Sequence, residues 1–214
     1  MFRDRREAGA QLAARLSHLE GEEVVVLAIP RGGVPVAAEA ARALEAELDV
    51  MVARKLGAPS QPELAIGAVT ASGAHYLNED VLREVGVTPG FLRAITAEAV
   101  EEARRQEERL RTGRPPPRVA DRVVVLVDDG LATGATMGAA IRSVRQKMPR
   151  RIVVGVPVAP PSTCAALRAE ADEIIAVEQP EPFLAVGMHY VDFRPVGESE
   201  IRELLQSFWP KTEG

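Results

Sequence analysis

Thirteen consecutive residues, Val124-Val125-Leu126-Val127-Asp128-Asp129-Gly130-Leu131-Ala132-Thr133-Gly134-Ala135-Thr136, constrain this chain more than any others. The apolar, β-branched run Val123 to Val127 has the length of a strand buried on both faces, which implies a parallel sheet covered by helices. The Gly/Thr cluster after it opens a run of small residues, Met137 to Val144, expected to be a helix. Asp128 and Asp129 therefore fall at the carboxyl end of a strand, where open parallel sheets bind ligands. The free N–H groups and dipole at the start of the following helix suit a phosphate. Thr133 and Thr136 add hydroxyl donors, and Gly134 lets the backbone approach an anion. The two carboxylates are poor neighbours for a phosphate but good acceptors for vicinal sugar hydroxyls. One end of the loop thus suits a phosphate and the other a sugar, which points to phosphoribose.

Other phosphate loops fail on inspection, because the chain has no Gly-Lys pair for a Walker A lysine and no Gly-x-Gly for a dinucleotide fingerprint. A chain of 214 residues with 46% hydrophobic but only 4% aromatic content can bury one sizeable aliphatic core. One domain, 1–214, is expected. A net charge of -5 argues against nucleic acid as the main partner, so any anion site must be local. Cys164 is the only cysteine, the segment after Met1 lacks a signal-peptide layout, and no apolar run reaches membrane-spanning length. The expectation is a cytoplasmic protein with no membrane partner.

Along the chain, Leu12, Leu16 and Leu19 place an amphipathic helix over Ala8 to Leu19, ahead of a buried strand Val24 to Ile29. An alanine-rich helix over Val34 to Leu48 and a strand over Val50 to Ala53 complete a β-loop-helix-β unit with a right-handed crossover. The strands Ile66 to Thr70 and His75 to Leu77 pair around Ala71-Ser72-Gly73 as a small flap, Gly57 to Leu77. Thr88 to Arg111 reads as a charged helix with Glu101–Arg105 and Glu107–Arg111 pairs, stopped by Pro115-Pro116-Pro117 and weakly anchored to the core. Flap and charged helix form an inserted arm, 57–114. A strand Ile152 to Val156, a helix Thr163 to Ala171 and a strand Ile174 to Val177 follow. A hood or tail over 178–214 ends the chain, irregular from Pro180 to Phe193 and helical from Glu198 to Phe208. The fold class is α/β: about five parallel core strands, flanking helices and a small flap.

Two more strand ends carry candidate site residues. Pro30-Arg31-Gly32-Gly33-Val34-Pro35 pairs a cation with two glycines, which suits a second anion. Arg54 and Lys55 are expected to end the second core strand at the same edge. His18, His75 and His189 show neither metal-ligand spacing nor a nucleophile partner.

The apolar strand, acidic pair and Thr133-Gly134-Ala135-Thr136 together resemble the PRPP-binding motif of the type I phosphoribosyltransferases. The match, with Phe2-Arg3-Asp4-Arg5, Pro30 to Pro35 and Arg54 to Pro59, extends over most of the chain and is similar to a bacterial group of undefined substrate. The resemblance implies that Gly130, Leu131, Ala132, Thr133, Gly134, Ala135 and Thr136 hold the 5′-phosphate of PRPP. It implies that Arg31, Gly32 and Gly33, in a loop that often carries a strained or cis peptide, bind pyrophosphate together with Arg54 and Lys55. Asp128, Asp129, Arg31 and Lys55 are then the catalytic set, with Mg²⁺ carried by PRPP and touched at most by the two aspartates. The 6-oxopurine enzymes have an aspartate where this chain has Ala132, so the acceptor's proton must be handled elsewhere; Ala-Thr-Gly is similar instead to adenine and uracil enzymes. Phe183 loosely resembles the ring that stacks on the base. The partners implied are PRPP and a nucleobase-like acceptor, with a homodimer left open. A PRPP- or nucleotide-sensing regulator without turnover, and a hydrolase that releases ribose 5-phosphate, are the alternatives.

Overall fold

A computed structural model describes residues 1–209. Its centre is a five-stranded parallel sheet in the order β2-β1-β6-β7-β8. The strands are β1 (Val24–Ala28), β2 (Glu47–Val50), β6 (Val123–Val127), β7 (Arg151–Val158) and β8 (Glu173–Glu178). Every residue of β1 and of β6 is buried, as their unbroken apolar runs require. Their side chains alternate between two cores. Val24, Val26, Val123 and Val125 face α1 (Arg5–Arg15), α2 (Gly33–Ala43) and α7 (Glu198–Ser207), while Val25, Leu27, Val124 and Leu126 face α5 (Ala135–Arg145) and α6 (Pro161–Leu167). From β1 the chain winds to β2 on one side and returns to place β6 on the other. The strand order therefore reverses between β1 and β6, the crevice where doubly wound sheets bind ligands. The register sets Ala28 beside Val127, so the two loops leave the sheet level with each other.

The second core strand lies earlier than the sequence predicts. Helix α2 stops at Ala43, Glu45 turns the chain at φ 49, and Glu47–Val50 forms β2. No glycine or proline marks this turn, and Leu48 serves a strand as well as a helix. Arg54 and Lys55 consequently do not end a core strand. They lie in β3 (Ala53–Ala58), the first strand of an antiparallel sheet with β4 (Gln61–Thr70) and β5 (His75–Leu77). The flap thus has three strands and begins at Ala53, since β3 runs through Gly57 with shifted register. It rests on α5 through Ala68 against Ala135 and Ala139, with Tyr76 beside them. The Arg142 guanidinium covers the Tyr76 ring at 4.8 Å, and the Ser72 and Ser143 hydroxyls are 2.8 Å apart.

A short helix α3 (Glu79–Val85), which the sequence pattern does not announce, precedes α4 (Pro89–Arg111), which Thr88 caps. The charged helix is better anchored than its polarity suggests. Arg111 donates to Asp49 at 2.8 Å, to Glu107 at 2.7 Å and to the Val50 carbonyl at 2.8 Å. Glu107 in turn accepts the Val52 N–H at 3.0 Å. These side chains are nearly buried, so the network ties the end of α4 to β2, the edge strand. Of the two pairs expected on this helix, Glu107–Arg111 forms, whereas Glu101 meets Arg104. Among the described residues no helix is long and apolar enough to cross a membrane.

Candidate active site

At the crevice between β1 and β6 the two loops touch. The Pro30–Arg31 peptide is cis, and Gly32 caps α2 without a side chain. A Cβ on Gly32 would lie 1.9 Å from Oδ2 of Asp129, and one on Gly33 would lie 2.8 Å from the Val127 carbonyl oxygen. Only glycine lets the loops approach this closely. Arg31 is exposed at the mouth.

Asp128 and Asp129 sit side by side at the end of β6, partly buried. Oδ1 of Asp128 accepts the Asp129 N–H at 2.8 Å. Burial raises the Asp128 carboxyl well above the usual carboxylate range, and the charge of Asp129 adds to the effect. Burial raises Asp129 too, opposed by Arg5. The Arg5 guanidinium donates from Nε to Oδ2 of Asp129 at 2.8 Å and from Nη1 to the Arg194 carbonyl at 2.8 Å. It lies over the Phe193 ring, 4.0 Å from the centroid. The Tyr190 hydroxyl donates to the Asp129 carbonyl at 2.6 Å, and burial pushes that phenol above its ordinary range. Phe2 and Tyr190 form a β-bridge that brings the start of the chain against this tail. Arg5, Tyr190 and Phe193 are thus neighbours of the acidic pair. Arg5 stands 124 positions from Asp129, and no local pattern signals the contact.

The loop from Gly130 to Gly134 is braced from outside. The Leu131 N–H donates to the Val158 carbonyl at 2.9 Å, and the Thr163 hydroxyl to the Ala132 carbonyl at 2.5 Å. Gly134 caps α5 at φ 75 and offers no side chain to the helix start. The N–H groups of Ala135, Thr136 and Met137 are therefore orphan donors of the first turn, gathered at the positive end of the helix dipole. Thr133 is exposed and Thr136 half-buried beside them.

Arg54 and Lys55 separate. Arg54 pairs with Glu102 of α4. Lys55 lies opposite Ala68, whose side chain packs on α5, so Lys55 belongs to the flap face turned toward α5. It has no hydrogen-bond or ion-pair partner among the described residues. On the other side of the loop a cleft of about 430 Å³ is lined by Ala132, Pro160, Thr163, Glu181 and Phe183, among others. Phe183 stacks on His189, ring centroids 5.3 Å apart and 12° from parallel. Ala132 of the candidate phosphate loop and the candidate base-stacking ring thus line the same cleft.

Among the described residues no group of three or more His, Cys, Asp or Glu side chains could hold a metal ion alone. Two adjacent carboxylates do suit Mg²⁺ that arrives on a polyphosphate, because that ion keeps its waters and takes one or two carboxylates beside substrate oxygens.

The model of the phosphoribosyl transferase domain family matches residues 4–191. Two Mycobacterium tuberculosis proteins, Rv0571c of strain H37Rv and MT0597 of strain CDC 1551, are each 44% identical over 205 residues, 96% of this chain. Both carry provisional phosphoribosyl transferase names, and the chain spans 46% of their length. Among solved structures, TT1426 from Thermus thermophilus is 46% identical, with a TM-score of 0.82 over 97% of this chain and 99% of its own. AQ2163 from Aquifex aeolicus, 14% identical, shares the fold over 94% of this chain and 85% of its own, with a TM-score of 0.54. With the acidic pair, the glycine-threonine loop and the fold in agreement, the chain belongs to the phosphoribosyl transferase domain family.

Proposed function

We propose that this protein transfers the 5-phosphoribosyl group of PRPP to a nitrogen of a purine- or pyrimidine-like base and releases pyrophosphate. The observation that carries the reading is the loop at the strand-order switch, where two carboxylates adjoin an uncapped helix start. In this reading the 5′-phosphate takes the orphan N–H groups of α5 and the hydroxyls of Thr133 and Thr136. Asp128 and Asp129 accept hydrogen bonds from the two ribose hydroxyls and fix the sugar's orientation. Arg31, the amides around Gly32 and Gly33, and Lys55 surround the pyrophosphate. Arg54 holds α4 to the flap instead.

The C1–oxygen bond to pyrophosphate weakens, positive charge develops on the ribose, and negative charge develops on the leaving group. The preorganised carboxylates face the first charge, while the arginine, lysine and amides face the second. Mg²⁺, bound through PRPP, would neutralise part of the pyrophosphate charge. Arg5 keeps the Asp129 carboxylate seated against Gly32. We read 1–214 as one such domain, working in the cytoplasm.

PRPP is expected to raise the melting temperature only with Mg²⁺, because the acidic pair otherwise faces an uncompensated polyanion. At a hundredfold excess over Kd, binding adds about 2.7 kcal/mol, or about 5–10 °C for a chain of this size. Differential scanning fluorimetry with and without Mg²⁺ checks this, and equal shifts in both would contradict it. Pyrophosphate release that needs both PRPP and a base would separate transfer from sensing without turnover and from hydrolysis.

A further inference from the structure

We propose that Arg5 makes the site selective for ribose over 2-deoxyribose, by pinning the Asp129 carboxylate so that a sugar without the 2-hydroxyl leaves it unpaired. The inference rests on the phosphoribosyl transfer reading and adds to it a positioning residue and the feature of the sugar that this residue enforces.

Arg5 has a single, well-defined orientation. Its Nε donates to Oδ2 of Asp129 at 2.8 Å, its Nη1 donates to the Arg194 carbonyl at 2.8 Å, and its guanidinium lies over the Phe193 ring, 4.0 Å from the centroid. The backbone beneath it is fixed as well. Asp4 caps α1 by accepting the Glu7 N–H at 2.9 Å. The Phe2 N–H donates to the His189 carbonyl at 2.8 Å, and the Phe2 and Arg3 carbonyls accept from the Val191 and Asp192 N–H groups at 2.8 and 2.9 Å. The Arg5 and Asp129 side chains are only 11% and 14% exposed, so this is not a solvated surface pair of the kind that contributes little. A lysine ammonium is a point charge and cannot reproduce the planar fork that reaches the carboxylate, the carbonyl and the ring together.

With Oδ2 of Asp129 on Arg5, Oδ1 is the oxygen that remains for a ligand. Asp128 likewise uses Oδ1 on the Asp129 N–H at 2.8 Å. Each carboxylate thus keeps one oxygen for one of two neighbouring hydroxyls. The Asp129 side chain is the one against Gly32, next to Arg31, whereas Asp128 lies against Gly33. In a phosphoribose the 2-hydroxyl adjoins C1, from which pyrophosphate departs, and the 3-hydroxyl is nearer the 5′-phosphate. With the phosphate on the start of α5 and pyrophosphate at the Arg31 loop, Asp129 meets the 2-hydroxyl.

Pinning turns that contact into a penalty. A carboxylate able to swing toward water would pair with solvent when the 2-hydroxyl is missing, and little would be lost. One held by Arg5 keeps its place with an oxygen unpaired, and a site built around a hydroxyl rejects the analogue without it for that reason. Arg5 touches no reacting atom and acts through Asp129.

The test titrates the full chain by calorimetry with ribose 5-phosphate and with 2-deoxyribose 5-phosphate, as wild type, Arg5→Lys and Arg5→Gln, and records the melting temperature of each. The wild type is expected to bind the ribose form about tenfold or more tightly, the worth of one hydrogen bond to a charged group. In both variants the preference is expected to fall to about twofold or less, because the released carboxylate pairs with water. Their affinity for the 2-deoxy sugar should be unchanged or higher, since the phosphate contacts on α5 are untouched. A merely structural role would weaken both sugars together and leave their ratio as it was. Arg5→Lys keeps the charge and decides the matter if Arg5→Gln melts too low to measure. A preference that survives in Arg5→Lys, one that is absent from the wild type, or a parallel loss of both sugars would overturn this proposal and leave the transfer reading standing. Failure of the wild type to bind either sugar phosphate or PRPP with Mg²⁺ would overturn both.

Discussion

Asp128→Asn is expected to slow phosphoribosyl transfer by about 100-fold or more and, at the same time, to raise the melting temperature of the unliganded protein at neutral pH. The rate falls because a preorganised charge aimed at the developing ribosyl cation is lost, and single groups of this kind are worth roughly 10²–10³ in rate. The stability rises because burial and the neighbouring Asp129 disfavour the charged carboxyl that asparagine replaces with a neutral amide. Burial and the adjacent Asp129 hold its pKa well above the unfolded value. Such a group stabilises the fold fully below its unfolded pKa, and that contribution is lost as pH rises through the folded one. Asparagine keeps the Oδ1 acceptor that receives the Asp129 N–H and removes the charge. Melting curves of the two proteins should converge in acid and separate toward neutral pH, the variant melting higher. A variant that melts lower at neutral pH, or that retains wild-type turnover, would contradict the assignment.

Gly32→Ala is expected to weaken PRPP binding by about 100-fold, although it adds one methyl group to a loop that does not contain the acidic pair. The new Cβ would stand 1.9 Å from Oδ2 and 2.6 Å from Cγ of Asp129, so the carboxylate has to leave its seat. Its bond to Arg5, 2.8 Å long, goes with it. Overpacking of this kind costs about 1–3 kcal/mol in stability. The affinity loss comes from the moved carboxylate and from the altered pyrophosphate loop together. Calorimetric titration of the variant with PRPP and Mg²⁺ measures it. Wild-type affinity in a variant of lowered melting temperature would show that the close approach of the two loops serves the fold alone.

The sheet and its principal loop are legible in the sequence for a physical reason. Val123 to Val127 is apolar at every position, which only a strand covered on both faces tolerates, and the residues behind it carry their turn chemistry openly in Gly130 and Gly134. The start of β2 is not legible, because Glu45 takes a left-handed conformation that its residue type does not advertise and the alanine run before it has no stop signal. Arg54 and Lys55 stand out as a pair, but alternation along β3 sends one toward α4 and the other toward α5. Their types and spacing cannot separate them until the strand has been placed. Arg5 meets the site only because the start of the chain packs against the tail, Phe2 beside Tyr190. Arg111 is visible as an i, i+4 partner of Glu107, whereas its bond to Asp49 depends on where β2 ends.

At the centre of this reading, the loop from Asp128 to Thr136 holds phosphoribose with its sugar toward the carboxylates and its phosphate on the start of α5. Crystals grown with PRPP and Mg²⁺ test it most directly. They should show the 5′-phosphate about 3 Å from the N–H groups of Ala135 and Thr136, with the ribose hydroxyls at the same distance from Asp128 and Asp129. A phosphoribose bound away from this loop, or one reversed so that its 5′-phosphate lies at Arg31 and its pyrophosphate on α5, would contradict it.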